Sequence, residues 1–371
     1  MFKRIVLLLL IGPTALMAQI DRKATRETKN LYNSLKQLRQ KGVLFGQQDA
    51  LAYGLNKDGS RWVGDPGRSD IKTLTGEHPA VVGHDLGHLE LDSLVNLDGV
   101  PFEKIRQSIV ETYRRGGVNT ISWHPNNPLD FTKTTWDKGD STIHRILTDR
   151  TNRKSYEKTL DRLADFFRSL KGPEGEYIPV IFRPYHEHTG NWFWWGAGQV
   201  TPEEYKAFWR FTVDYLRKKR KVHNLLYAYS TDYFGDEAHY LERYPGDQYV
   251  DILGFDYYHR NAPQSNTTFI ETTRRMVGTI RELGQQRGKV WALTETGLDQ
   301  LPEPTWWTSI IQPIVQDSGL SYLLVWRNGR ADHFFGPYPG QASAEDLRKL
   351  VGSGTILLEQ GVARENIYSK R

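Results

Sequence analysis

Eight short apolar runs recur along the chain, and stretches with helical spacing separate them. The runs are rich in the β-branched and aromatic residues typical of strands, and they cover residues 43–47, 80–84, 120–124, 178–184, 225–230, 251–257, 290–294 and 322–327. Apolar residues follow a helical spacing at 102–115, 155–171, 202–220 and 269–287. Strands that alternate with helices predict a parallel sheet with right-handed crossovers. Eight such units in 371 residues favour an α/β protein with a closed (β/α)8 TIM barrel.

Polar and aromatic side chains follow almost every predicted strand. The carboxyl ends of barrel strands form the active face of this fold, and packing alone gives no reason for His, Glu and Trp to gather there. The sequence therefore predicts a site built from these strand ends. The residues concerned are Gln47, Gln48, Asp49, His84, Asp85, Trp123, His124, Tyr185, His186, Glu187, Asp256, Tyr257, Tyr258, Glu295, Trp326, Arg327 and Asn328.

Two glutamates stand out among these residues, because Glu187 follows the fourth predicted strand and Glu295 ends the seventh. Glycoside hydrolysis needs a proton donor on one side of the scissile bond and a nucleophile or base on the other. Aromatic residues such as Trp192 beside Glu187 favour a raised pKa and the role of general acid. Hydrogen bonds from Tyr258 or His186 would favour the ionised form of Glu295 and the role of nucleophile.

The residues at three of these strand ends resemble the motifs of glycoside hydrolase family 26. The resemblance extends over residues 46–328, which is nearly the whole predicted barrel. It implies a retaining endo-β-1,4-mannanase that acts on mannan, galactomannan or manno-oligosaccharides. The family also contains β-1,3-xylanases and mixed-linkage β-glucanases, and both activities stay open as alternatives. The motifs are Arg183-Pro184-Tyr185-His186-Glu187, Asn191-Trp192-Phe193-Trp194-Trp195-Gly196, Gly254-Phe255-Asp256-Tyr257-Tyr258 and Thr294-Glu295-Thr296-Gly297.

The resemblance also implies roles for individual residues. Glu187 matches the acid/base of the family, and Glu295 matches its nucleophile. His186 matches a histidine that holds the nucleophile and the sugar at the cleavage point, and Tyr258 matches a tyrosine hydrogen-bonded to the nucleophile. We expect six further residues to contact the sugars of the substrate, namely His124, Trp136, Trp192, Asp256, Trp326 and Arg327.

Two other classes of protein were weighed against a glycosidase. A metal-dependent hydrolase could use His84, His88 and His124, but His84 and His88 belong to a glycine-containing loop, and the spacing fixes no acidic third ligand. We therefore expect neither a metal nor another cofactor. A sugar-binding barrel without activity would keep its aromatic residues and lose a carboxylate, whereas both Glu187 and Glu295 are present.

The chain is basic, with a formal net charge of +5, and its densest run of cations covers residues 217–221. This run closes a predicted helix, where cations are favoured by the helix dipole. A solvated helix end is therefore favoured over a phosphate-binding patch, and we expect no nucleic-acid partner.

Residues 1–19 are typical of a signal peptide. Lys3 and Arg4 precede an apolar segment at 5–11, and small residues follow it. Gln19 stands where a bacterial lipoprotein would carry its lipidated Cys, and the chain contains no Cys at all. We expect an exported protein, periplasmic or secreted, without a lipid or membrane anchor. Residues 20–371 are expected to form one catalytic domain and to be monomeric.

Two long loops bear on how the substrate is attacked. The segments 86–100 and 125–153 follow the second and third predicted strands. If the substrate runs through the cleft in the direction found in the family, both segments lie on the glycone side of the acid/base. Long loops on the active face can wall off a cleft. A walled cleft would release short products such as a disaccharide, whereas an open groove would cut within the polymer.

Overall fold

In the computed structural model, which describes residues 19–369, eight parallel strands form a closed barrel. The barrel closes because β1 pairs with β2 on one side and with β8 on the other. The strands are β1 (Val43–Gln48), β2 (Val81–Asp85), β3 (Val118–Trp123), β4 (Val180–Pro184), β5 (Leu225–Thr231), β6 (Ile252–Asp256), β7 (Val290–Thr296) and β8 (Tyr322–Val325). Each predicted strand overlaps one of them, so the predicted (β/α)8 barrel is confirmed.

Helices surround the barrel and bury an apolar face against it. They are α1 (Arg26–Leu38), α2 (Asp70–Thr75), α3 (Phe102–Arg115), α4 (Thr142–Thr148), α5 (Arg150–Ser169), α6 (Pro202–Asp214), α7 (Glu237–Leu241), α8 (Asn266–Arg287), α9 (Gln312–Val315), α10 (Ala344–Gly352) and α11 (Glu359–Ala363). Short helical turns lie at Leu89–Leu91, Tyr215–Lys219, Asp247–Tyr249 and Trp307–Ile311. A hairpin of Tyr53–Leu55 and Arg61–Val63 follows β1, and a short strand, Ile356–Leu357, pairs with β1 outside the barrel order.

Two apolar layers hold the barrel together. Side chains such as Leu44, Ile181 and Leu324 point into its interior, where Leu35 of α1 joins them. The outer layer lies between the strands and the helices and includes Trp209, which is completely buried as its helical position predicted. Because both faces of every barrel strand are covered, the strands read as continuous apolar runs rather than as alternating ones.

Helix boundaries differ from prediction where local capping decides them. The predicted helix at 155–171 begins earlier, as α5, because the Asp149 side chain accepts a hydrogen bond from the backbone of Asn152. The predicted helix at 202–220 is α-helical only as far as Asp214, the last residue of α6. A π-helical turn, Tyr215–Lys219, follows it. π-Helical residues are rare and occur mostly as single turns of this kind within α-helices.

The basic run at 217–221 lies at this helix end, as predicted, and acidic side chains compensate much of it. Lys218 lies 2.9 Å from Asp214, and Arg220 lies 2.9 Å from Asp165. Paired cations have less charge to offer to phosphate groups, so the arrangement favours a solvated helix end over a nucleic-acid patch.

The predicted signal peptide lies outside the described residues except for Gln19. Within residues 19–369, no helix combines the length and the apolarity needed to cross a membrane. The described residues form one barrel, with one apolar layer inside it and the other between it and the helices.

Candidate active site

A cleft of about 680 Å³ opens at the carboxyl ends of the barrel strands. Eight of the ten predicted site residues line it, so the fold brings them together. They are His124, Trp136, His186, Glu187, Trp192, Tyr258 and Glu295, joined by the predicted contact Trp326. Only Asp256 and Arg327 are not part of this lining.

Glu187 is held by an unusual backbone turn directly after β4. Tyr185 and Glu187 both adopt the left-handed region, with φ of 50° and 52°, which side-chain-bearing residues rarely occupy. The Glu187 amide donates a 3.0 Å hydrogen bond to the carbonyl of Ser230 on β5, which stabilises the turn. Strain of this kind is typical of functional sites, where the surrounding structure fixes a side chain in one direction.

The environment of the Glu187 carboxyl favours its protonated form. Burial raises its pKa well above the ordinary value, and the nearby carboxylates of Asp256, Glu295 and Asp232 raise it further. The indole Nε1–H of Trp192 donates a 2.7 Å hydrogen bond to Oε2, which opposes this rise. A carboxyl that keeps its proton near neutral pH is suited to act as a general acid.

Trp192 is positioned by the glycine two residues before it. A Cβ on Gly190 would lie only 2.2 Å from the Trp192 ring, so the ring lies directly against the glycine backbone. Trp194 and Trp195 are buried and donate hydrogen bonds to the carbonyls of Pro125 and His186. The expectation that at least one tryptophan of this loop faces the cleft is confirmed for Trp192.

Glu295 lies opposite Asp256 at an irregularity in the pairing of β6 with β7. Tyr258 donates a 2.9 Å hydrogen bond to Glu295 Oε2, as predicted, and the guanidinium of Arg183 donates to Oε1. Both donors hold the carboxylate oxygens in a fixed orientation, which a nucleophile needs. Burial and the two neighbouring glutamates raise the pKa of Tyr258 well above its ordinary value, so the hydroxyl keeps the proton that it donates.

Asp256 does not contact the cleft, and the prediction that it touches the substrate is wrong. Its side chain is completely buried and accepts hydrogen bonds from Arg183 at 2.7 Å, Ser230 at 2.9 Å and Thr294 at 2.7 Å. The sequence placed it correctly at a strand end, but its side chain is enclosed by these donors and does not line the cleft. Asp256 therefore orients Arg183, which in turn holds Glu295.

His124 forms a buried pair with Asp85, with 2.6 Å between Nδ1 and Oδ2. Burial alone would lower the pKa of His124, but the Asp85 carboxylate outweighs it and the net pKa is raised. Ser122 donates a 2.6 Å hydrogen bond to the same carboxylate. The pair fixes the imidazole plane, so that the ring presents its other edge toward the cleft.

Aromatic rings surround this histidine on the cleft side. Trp136 is 52% exposed and its ring lies nearly parallel to that of His124, at 6.3 Å and 27°. Trp326 approaches His124 edge-on at 6.2 Å. Exposed, flat indole surfaces in a cleft are the surfaces that can pack against the C–H faces of sugar rings.

His186 lies between the two carboxylates and His124. Ligand atoms of His186, Asp256 and Glu295 lie within 4.8 Å of one another, and no other grouping of three potential metal ligands occurs in residues 19–369. Arg183 already forms ion pairs with both carboxylates of this group. Because its positive charge occupies the place of a metal ion, the group does not fit a divalent cation. Burial and the neighbouring Arg183 lower the pKa of His186 well below its ordinary value, which favours the neutral ring.

The histidines of the metal alternative do not converge. His84 lies 3.3 Å from the side-chain oxygen of Asn119, and His124 is held by Asp85. Asp85 therefore orients His124 through a hydrogen bond, a role that the sequence did not predict.

Arg327 lies beside the cleft rather than in its lining. Its guanidinium forms a 3.0 Å ion pair with Asp98, on the loop that follows β2. Because 20% of the Arg327 side chain is exposed, contact with a sugar stays a prediction.

The sequence analysis named Asp85 among the strand-end residues and Arg183 within a motif, but it assigned neither of them a role in the site. Arg183 was visible as a cation inside an otherwise apolar strand, and such a residue needs buried carboxylate partners. Nothing local in the sequence indicated that those partners are Asp256 and Glu295, because they lie 73 and 112 residues away.

Comparisons with known proteins agree with this geometry. Residues 20–297 match the sequence profile of Glycosyl hydrolase family 26. A protein named mannan endo-1,4-beta-mannosidase from Bifidobacterium adolescentis is 36% identical over 289 residues, which are 75% of this chain and 27% of that protein. One named mannan endo-1,4-beta-mannosidase A and B, from Caldalkalibacillus mannanilyticus, is 30% identical over 249 residues, or 64% of this chain and 45% of that protein.

The chain thus spans about a quarter and just under half of the length of these two relatives. A solved structure of a GH26 beta-mannanase from Bacteroides ovatus is similar over nearly the full length of both chains. It has a TM-score of 0.86 and 44% identity, and the match covers 91% of this chain and 96% of that one.

Proposed function

The chain belongs to glycosyl hydrolase family 26, and we propose that it is a retaining endo-β-1,4-mannanase that cleaves mannan or manno-oligosaccharides. One observation carries this proposal. A buried Glu187, whose surroundings raise its pKa, and a Glu295 held by cationic and hydroxyl donors line the same cleft. This is the pair of unlike carboxyl groups that a retaining glycosidase uses.

In the first step, Glu295 attacks the anomeric carbon of the sugar while the bond to the leaving oxygen breaks. Glu187 gives its proton to that oxygen, so the departing chain leaves as an alcohol. The product is a glycosyl ester on Glu295. Water then attacks the same carbon, Glu187 takes up a proton from the water, and Glu295 is released as a carboxylate.

The neighbouring residues keep the two glutamates in their different states. Arg183 and Tyr258 stabilise negative charge on Glu295 before attack and as it leaves. The carboxylates near Glu187 favour its proton, and one of these charges, that of Glu295, is lost when Glu295 becomes an ester. The resulting fall in the pKa of Glu187 suits its second role, in which it acts as a base.

The names of the relatives support mannan as the substrate class. The test is a product profile of the purified enzyme on mannohexaose, galactomannan, β-1,3-xylan and mixed-linkage β-glucan. We expect turnover of the mannosides, unchanged by a chelator. Higher kcat/KM on the xylan or on the glucan would replace the proposed substrate by one of the two alternative activities.

We further propose that the cleft is walled at one end and that short products leave. The ion pair between Arg327 and Asp98 links the loop after β2 to the end of β8. The same loop is joined to the barrel by a 3.1 Å hydrogen bond, which the side-chain amide of Asn96 donates to the backbone carbonyl of Asp85. A loop fixed at two points can act as a wall beside the His124 end of the cleft.

Export completes the proposal, on the basis of residues 1–19. We propose a periplasmic or secreted monomer. Fractionation of cells that express the full chain, compared with cells that express residues 20–371, tests the location. Light scattering after size exclusion tests the oligomeric state, and recovery of the full chain only in the cytosol would overturn the export proposal.

A further inference from the structure

Helix α6 contacts the turn that contains Glu187. Tyr205 of this helix is completely buried, and its hydroxyl donates a 2.9 Å hydrogen bond to the backbone carbonyl of Tyr185. Burial raises the pKa of Tyr205 well above its ordinary value, so the hydroxyl keeps the proton that it donates. Because Tyr185 and Glu187 both occupy the left-handed region, the turn keeps its shape only where neighbouring groups fix it.

The ring of Tyr205 also contacts the residue that follows Glu187. The imidazole of His188 is completely buried and lies between two tyrosine rings, with its centroid 4.3 Å from that of Tyr205 and 4.7 Å from that of Tyr229. Within residues 19–369 neither ring nitrogen of His188 has a hydrogen-bond partner, so aromatic packing holds this side chain. Tyr205 therefore contacts the chain both before and after the proposed acid.

A second residue of the same helix holds the side chain of Tyr185. Thr212 lies two helical turns after Tyr205 on the same face of α6, and its Oγ1 lies 3.1 Å from the Tyr185 hydroxyl. The hydroxyl of Tyr156 on α5 is hydrogen-bonded to both groups and lies 2.7 Å from Thr212 Oγ1. Helix α6 thus fixes Tyr185 at two points, its backbone carbonyl and its side-chain hydroxyl.

We propose that Tyr205 is a positioning residue for the acid/base, because its hydroxyl and its ring fix the turn that directs the Glu187 carboxyl into the cleft. The inference rests on the proposed glycosidase function, in which Glu187 is the acid. Tyr205 is not part of the cleft lining, so it acts on the reaction only through residues 185–188. Proton transfer needs the donor within hydrogen-bond distance of the leaving oxygen, and a displaced turn slows that step.

The test compares two variants that remove the same kind of hydrogen bond. Y205F deletes the hydroxyl that holds Tyr185 and keeps the ring beside His188. Y229F is the matched control, because the Tyr229 hydroxyl is equally buried and donates a 2.9 Å hydrogen bond to the carbonyl of Tyr240, which lies outside the turn. Both variants should lose similar stability, measured as melting temperature, but only Y205F should change proton transfer.

The dependence on the leaving group measures the proton transfer itself. The value of kcat/KM reports the step in which the ester on Glu295 forms, and this step needs an acid when a sugar departs but hardly when an acidic phenol departs. We expect Y205F to lower kcat/KM about fivefold on mannotetraose and less than about twofold on an aryl β-mannobioside. Y229F should change either value by less than about twofold.

The pH dependence is a second readout, which a loss of stability alone would not move. A looser turn lets water reach the Glu187 carboxyl, and burial is the main cause of its raised pKa. The pKa should therefore fall in Y205F, and the alkaline limb of the kcat/KM profile should move down by about 0.5 pH unit. The limb should stay in place in Y229F.

T212V is a second variant that keeps the inference testable if Y205F does not fold. It replaces the hydroxyl beside the Tyr185 side chain by a methyl group and leaves the bond from Tyr205 in place. We expect the same selectivity with a smaller loss, about threefold on mannotetraose and less than about twofold on the aryl substrate.

The outcomes separate the inference from the proposed function. A loss confined to mannotetraose, together with a lowered alkaline limb, supports the positioning role of Tyr205. Equal losses on both substrates would show a general effect on folding, and unchanged values would show that the turn keeps its shape without the hydroxyl. Either result overturns the inference, as does a selective loss of the same size in Y229F. A wild-type enzyme that cleaves no mannoside would instead overturn the proposed function.

Discussion

The indole Nε1–H of Trp192 lies 2.7 Å from the Oε2 of Glu187, and it is the side-chain hydrogen bond that favours the ionised form of this carboxyl. All other strong influences on Glu187, which are burial and three carboxylates, favour the protonated form. The pKa of Glu187 is therefore set by a balance: burial and the three carboxylates raise it, and the hydrogen bond from Trp192 lowers it. Trp192 also lines the cleft, so one residue both tunes the acid and faces the substrate.

Replacing Trp192 by Phe should raise the pKa of Glu187 further. Loss of the donor removes an interaction with the charged form, so the proton is held to higher pH. The alkaline limb of the kcat/KM profile should move upward by about 0.5–1 pH unit. W136F is the matched control, since the Trp136 ring lies against His124 and makes no hydrogen bond to Glu187. A downward movement of the limb in W192F would contradict this account.

Trp192 should also contribute to binding of the transition state. We expect W192A to lower the transition-state stabilisation by about 1–3 kcal/mol, the scale of a lost aromatic contact. The measurement is kcat/KM on mannotetraose, together with the melting temperature. If kcat/KM stays constant while the melting temperature falls, Trp192 is a packing residue only.

Alanine substitutions of the two glutamates should reduce activity in different ways. E295A should abolish turnover and still bind oligosaccharides, because no ester can form. E187A should lose about a hundredfold or more on mannotetraose and much less on an aryl mannoside with a good leaving group, which needs little protonation. Steady-state kinetics of both variants on both substrates decide the matter. Equal losses for E187A on the two substrates would count against its acid role.

Arg183 should be important for stability as well as for activity. R183M leaves Asp256 and Glu295 as two buried carboxylates without their cation, and breaking a buried ion pair costs about 3–5 kcal/mol. We expect this loss in the free energy of unfolding measured by denaturant titration. R330M removes an exposed arginine that pairs with Asp332, so it should change stability by less than about 1 kcal/mol. A stable R183M protein with full activity would refute the role assigned to Arg183.

Products over time distinguish the two modes of attack. A cleft walled by the loop with Asp98 should release a disaccharide as the main product from the first minutes of hydrolysis of mannan. A D98A variant loosens the ion pair to Arg327 and should give a broader mixture. An early ladder of mixed lengths from the wild-type enzyme would show an open groove.

Proton NMR of the first product should show the β-anomer, as retention requires.

The order of strands and helices was readable from the sequence because it depends on local periodicity and on apolar runs. All eight strands were found, and the helix Phe102–Arg115 was predicted to the residue. Glu187 and Glu295 were also readable, because a barrel of this topology always brings the ends of its fourth and seventh strands to one mouth. The roles proposed for them were suggested by neighbours close in the chain, such as Trp192.

The tertiary structure alone decided which side chains at the strand ends reach the cleft. Asp256 and Tyr258 are two residues apart, yet the first is completely buried and absent from the cleft lining, whereas the second lines the cleft. The bond of Arg183 to Glu295 spans 112 residues, and that of His124 to Asp85 spans 39. Such contacts depend on strand register and on the local irregularity between β6 and β7, which are properties of the closed sheet. Periodicity therefore determined where the site lies, and long-range packing determined how its charges are paired.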